Sequence, residues 1–176
     1  MMKKLNLLAL IALATLLFAC SSDEDKKNPL TITNDIDQMV GWIQHPSIIK
    51  GDAHSGKYMC KVDATLPYSI GLNLNLEDFP IRNPKSIDAS VWGKITKIND
   101  SISLVIDLSS NGQSIINIGS NFNNFIKKIG EWEKVDVSIN IPKNLPSDAV
   151  LKVYIWNFQK TNTTAFGDDF EIIFNE

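Results

Sequence analysis

The chain has 176 residues, 44% of them hydrophobic and 21% charged, with a formal net charge of −3 at pH 7. That length suffices for one domain with a real core. The mild acidity excludes nucleic acid or an anionic lipid surface as the main electrostatic partner.

In chain order, Lys3 and Lys4 precede an apolar run from Leu7 to Phe18. A basic start, a short apolar segment and a small residue before a polarity break are the pattern of a secretory signal, and the run is too short to span a bilayer as a helix. Leu17-Phe18-Ala19-Cys20 resembles a bacterial lipobox. The resemblance implies that residues 1–19 are a lipoprotein signal peptide, that Cys20 carries the lipid, and that the chain is lipid-anchored to the outer membrane. Residues 20–29 are polar and free of large apolar groups, as expected of a disordered tether. Their acidic run, Asp23-Glu24-Asp25, also resembles the surface-export signal of lipoproteins in one gram-negative phylum, which implies a cell-surface location. With Cys20 committed to lipid, Cys60 is left without an intramolecular disulfide partner and is expected as a small core residue.

Residues 30–176 are expected to form the single folded domain. Leu30 to Thr33 opens it as a short strand. Tyr58, Cys60 and Val62 alternate with Met59, Lys61 and Asp63. Ile70, Leu72, Leu74 and Leu76 alternate with polar residues, as do Ile87, Ala89, Val91 and Ile95, and then Ile102, Leu104, Ile106 and Leu108. Period-two alternation marks strands with one buried face. Asn111-Gly112 predicts a tight hairpin turn. Phe122 to Lys128 reads equally as a loop or a single helical turn. Val135, Val137, Ile139 and Ile141, then Leu151, Val153 and Ile155, complete the buried rows, and Asp168 to Phe174 is the last strand. Eight or nine short strands without a repeat predict an all-β fold, a two-sheet antiparallel β-sandwich.

The polar rows opposite the buried ones carry tryptophans. Trp92 shares a face with Asp88 and Lys94, Trp132 shares one with Lys134 and Asp136, and Asp107 lies in a comparable row near Asn117. Aromatic rings among hydrogen-bonding groups suit a carbohydrate, whose C–H faces stack on rings while its hydroxyls find polar partners. Trp92, Trp132, Asp88, Asp107, Lys134 and Asp136 are the expected ligand-binding residues. Tyr154 and Trp156 share a face with Lys152 and either line a second surface or seal the sandwich rim. Tyr68, Phe122 and Phe125 fall near loops, and Trp42 is expected at a sheet edge. The two histidines, His45 and His54, sit in no catalytic motif, and the chain has no Gly-x-Ser-x-Gly or His-Glu-x-x-His. The expectation is a non-catalytic, glycan-binding surface lipoprotein. The alternative is a protein-interaction subunit of an outer-membrane complex, for instance one serving glycan uptake.

Four ordered pieces resemble the calcium-containing jelly-roll carbohydrate-binding modules, a branch of the galactose-binding-like fold. They are Asn34-Asp35-Ile36-Asp37 with Gly41-Trp42, Asp52-Ala53-His54-Ser55-Gly56-Lys57-Tyr58, Gly130-Glu131-Trp132-Glu133-Lys134-Val135, and Gly167-Asp168-Asp169-Phe170-Glu171-Ile172. The resemblance implies a jelly roll and a structural Ca²⁺ held by Asp37, by the turn that begins at Asp52, and by Asp169, since Ca²⁺ takes several hard oxygens.

Overall fold

The computed structural model describes residues 30–98 and 101–176. The expected signal peptide (residues 1–19), the expected lipidation site Cys20 and the expected tether (residues 20–29) lie outside the described residues. Among the described residues there are ten strands: β1 (Leu30–Asn34), β2 (Ile48–Lys50), β3 (Tyr58–Val62), β4 (Leu72–Asn75), β5 (Ser86–Ile95), β6 (Ile102–Ser110), β7 (Gln113–Asn121), β8 (Glu133–Asn140), β9 (Val150–Asn157) and β10 (Ala165–Asn175). All pairings are antiparallel. The first sheet runs β2-β3-β10-β5-β8, with β1 also on β10, and the second runs β4-β9-β6-β7. The chain is therefore a two-sheet jelly-roll sandwich.

The alternating rows form the core. Ile87, Val91, Ile102, Leu104, Ile106, Leu108, Val135, Leu151, Val153 and Phe174 are fully buried between the sheets. Each such side chain removed from water stabilises the fold by roughly 1.5–3 kcal/mol before entropy is counted. Asn111 and Gly112 both adopt positive φ (48° and 73°), the geometry of the tight hairpin that joins β6 to β7. The Asp148 carboxylate secures that hairpin by accepting from Ser110 Oγ (2.7 Å) and Asn111 N (2.9 Å).

Two expectations change, at β3 and at Trp42. Met59 is buried beside Cys60, its methyl group against Gly51 in the turn after β2, and Tyr58 is half-exposed. The 122–128 segment, open between a loop and a helical turn, starts as a 3-10 turn, Phe122–Asn124, and Phe122 drops into the core against Gly93. Trp42 is not packed at a sheet edge: it is 89% exposed on the loop after the 3-10 turn Asp37–Met39, whose Met39 carbonyl accepts from Trp42 N and Ile43 N.

Cys60 is buried, as expected. Burial pushes its thiol up to about 12 from an ordinary 9.0. The folded value lies above the unfolded one, so the neutral thiol supports the native state below about pH 9, and that support is lost as the pH rises toward 12. In the chain carrying Cys20→Ser, Ellman's reagent is expected to leave native Cys60 unmodified and to titrate it only after denaturation. Rapid modification of the native chain would contradict this burial.

Candidate functional site

Alternation decides which residues face outward, and strand order decides which of them meet. On the outer face of the first sheet, Trp92 pairs directly with Lys134 across β5 and β8, and Ser90 pairs with Asp136. Asp88 lies four residues from Trp92, roughly 13 Å along the strand, and is held by Ser138 Oγ and Asn175 Nδ2. Asp107 is on β6, in the other sheet, and does not join Trp92 or Trp132. The six expected ligand residues thus divide between two opposite faces.

The Trp92 face is partly roofed by the turn of residues 52–57. The His54 ring stacks on Trp92, centroids 4.0 Å apart and planes within 11°, and presents its edge to Trp132 at 6.0 Å. Trp132 Nε1 is buried, and the Lys94 ammonium sits 4.4 Å over the Trp132 ring. These two tryptophans therefore spend ring faces inside the protein. A groove of about 350 Å³ remains beside Trp92, lined by Asn34, Gln38, Lys134, Asp169 and Glu171, with Lys134 Nζ bonded to Glu171 Oε2 at 2.9 Å.

The turn itself is tied down by carboxylates. Both oxygens of Asp37 accept from Lys57 N (3.2 and 3.0 Å), and one also accepts from Tyr58 N (3.0 Å). Asp168 is fully buried. It accepts from Ser55 N (2.9 Å) and Asp169 N (2.8 Å), while burial pushes its carboxyl up to about 6. Asp169 sits at a bulge, with φ of 48°, where β10 takes three steps against two on β5. The bulge turns its carboxylate toward His54 Nδ1 (2.5 Å) and Ser55 Oγ (2.8 Å). Ser55 donates to the carboxylate and not to the imidazole, so this trio lacks the nucleophile–base contact that acyl transfer requires. Asp52 faces Lys94, whose Nζ donates to Asp52 O (2.8 Å) and Oδ2 (3.0 Å).

These contacts test the expected Ca²⁺ ligands. Each of Asp37, Asp52 and Asp169 already meets a proton donor or a cation of the chain. Among the described residues no three His, Cys, Asp or Glu side chains gather in a metal-holding geometry. Asp37, Asp52 and Asp169 thus stand as acceptors for the chain's own donors.

The outer face of the second sheet is different. Tyr154 and Trp156 stand two residues apart on β9, and Tyr68 joins them through a bridge to Trp156. The Tyr68 and Trp156 rings are parallel within 14° at 5.7 Å; Tyr154 packs edge-on to Tyr68 at 5.9 Å, and Phe158 edge-on to Trp156 at 6.0 Å. Tyr68 and Phe158 remain 48% and 43% exposed. A trough of about 340 Å³ lies alongside, lined by Tyr68, Asn73, Asp107, Lys152 and Tyr154. Asp107 is fixed by Ser114 Oγ (2.6 Å) and Asn117 Nδ2 (3.1 Å). Burial, and then the Asp107 charge, raise the Tyr154 hydroxyl above its ordinary value, so it stays protonated and able to donate. Tyr154 and Trp156 carried a readable signal, a Lys-x-Tyr-x-Trp alternation. Tyr68 did not, because it reaches the row only through the tertiary bridge.

No protein-family model matches the chain, and no curated protein matches it in sequence. Among solved structures, the chain is similar to a family 16 carbohydrate-binding module, at 13% identity and TM-score 0.50, over 71% of this chain and 82% of that one. It is also similar to the CBM22-1 xylan-binding domain of Xyn10C from Paenibacillus barcinonensis, at 12% identity and TM-score 0.51, over 85% of this chain and 98% of that one. At such identities the likeness is one of fold: this chain has the jelly-roll architecture on which those modules are built.

Proposed function

We propose that this chain is a non-catalytic carbohydrate-binding lipoprotein, anchored through Cys20 at the outer membrane and displayed on the cell surface. The ligand lies on the outer face of the second sheet. Sugar rings stack along Tyr68, Tyr154 and Trp156, while Asp107, Lys152 and Asn73 hydrogen-bond to hydroxyls in the trough. The observation that carries this reading is the parallel stack of the exposed Tyr68 on the half-buried Trp156, beside a polar trough; aromatic surface left open to solvent marks a contact surface. Affinity is expected to be modest, because each contact is small and water competes for it.

The groove at Trp92, Lys134, Asp169 and Glu171 supports a second placement of the same ligand. Affinity electrophoresis through gels containing neutral polysaccharides, xylan among them, separates the two. Loss of retardation in Trp156→Ala but not in Trp92→Ala is the expected result. The reverse would move the site to the Trp92 groove. A folded chain retarded by none of them would favour the protein-interaction alternative. Separately, Cys20→Ser is expected to release the chain from the membrane fraction of expressing cells; persistence there would contradict lipid anchoring.

A further inference from the structure

We infer that the 52–57 turn is pinned by the chain's own amides and cations, with the buried Lys94 ammonium in place of a divalent metal, so that the domain folds without calcium. The polarity of the turn carries the argument. A calcium loop turns carbonyl and carboxylate oxygens toward one point. Here the turn offers N–H groups to acids instead: Ser55 N to Asp168, and Lys57 N and Tyr58 N to Asp37. At the start of the turn, Asp52 O and Oδ2 both accept from Lys94 Nζ, and at its end Lys57 O accepts from Gly51 N.

Lys94 is built for that place. Its side chain is only 9% exposed, on a strand face where the neighbouring Trp92 and Asp88 are more open. A lysine head this buried needs compensating partners. It has the Asp52 carbonyl, the Trp132 face at 4.4 Å and the Phe166 face at 5.5 Å. The Asp52 side chain is 93% exposed, so its carboxylate contributes less than the carbonyl beside it. The ammonium thus fastens the turn to β5 through Asp52, and His54 fastens it through Asp169 and the stack on Trp92.

The test uses the chain from residue 20 onward with Cys20→Ser. Thermal unfolding is followed in chelator and in millimolar CaCl₂, and Tb³⁺ is added as a luminescent probe that tryptophan sensitises. Coincident midpoints and no saturable Tb³⁺ emission are expected. A site saturated with metal would raise the midpoint by several degrees, and that shift, or Tb³⁺ emission displaced by Ca²⁺, would overturn the inference. Lys94→Met keeps the apolar stem and removes the charge. It is expected to lower the midpoint by several degrees, equally in both buffers, whereas Asp52→Asn, which leaves the carbonyl in place, lowers it less. Lys94→Met melting with the parent chain would also overturn the inference. If that variant does not fold, the calcium and Tb³⁺ measurements on the parent chain still decide the metal question.

Discussion

Trp156→Ala is expected to weaken glycan binding by about thirtyfold while the domain stays folded. The magnitude follows from truncating an aromatic anchor at the centre of a contact, about 2 kcal/mol, at 1.4 kcal/mol per tenfold. The fold survives because Trp156 points out of the sandwich. Its backbone pairing with Ser103 and Tyr68 does not depend on the ring, and the lost ring contacts with Tyr68 and Phe158 are each worth about 0.5–1.5 kcal/mol. Trp92→Ala is expected to do the opposite. It removes the surface on which His54 stacks and so loosens the 52–57 turn, lowering the thermal midpoint with little change in binding. Retardation in polysaccharide gels and thermal unfolding of both variants distinguish the two effects. A Trp156→Ala chain that binds like the parent would remove the second-sheet face from consideration.

Gly56→Ala is expected to cost about 2–4 kcal/mol, against about 1 kcal/mol for Gly112→Ala. Both glycines adopt positive φ, 61° and 73°, so the intrinsic strain of an alanine is similar at each. They differ in surroundings. A Cβ on Gly112 meets nothing within 4 Å, whereas one on Gly56 would lie 2.3 Å from Asp37 Oδ2. Relieving that clash means moving the carboxylate that accepts from Lys57 N and Tyr58 N. At roughly 2–4 °C of midpoint per kcal/mol in a domain of this size, the two variants separate clearly in a melt. A double variant, Gly56→Ala with Asp37→Ala, checks the cause: the two losses are expected to be markedly less than additive, because the second change removes the atoms the first collides with. Full additivity would refute the assigned contact.

Much of the fold was legible because strand alternation is a local property. Ile102, Leu104, Ile106 and Leu108 declare a buried face within nine residues of chain, and Asn111-Gly112 declares its own turn since both positions take positive φ. Side-chain direction on a strand follows from pleating alone, so Trp92, Lys134, Tyr154 and Trp156 were all recognisable as outward residues.

The sequence by itself therefore determined an all-β sandwich, its core rows, and a set of aromatic and polar residues facing out. Which of those residues stand together was decided only by tertiary structure, because alternation distinguishes in from out but carries no information on which sheet a strand joins. Asp107 reads like a partner of Trp92, yet the strand order puts β6 beside β9 and gives it to Tyr154 and Lys152. Tyr68 enters the aromatic strip through one bridge from a segment eighty-odd residues away. The 52–57 turn folds over the first sheet through bonds to Asp37, Lys94, Asp168 and Asp169. That closure buries an ammonium and a carboxyl that local polarity would leave in water, and it converts the expected metal ligands into acceptors for the chain's own donors. Such contacts arise from long-range packing, where the burial of one group depends on the position of another far along the chain.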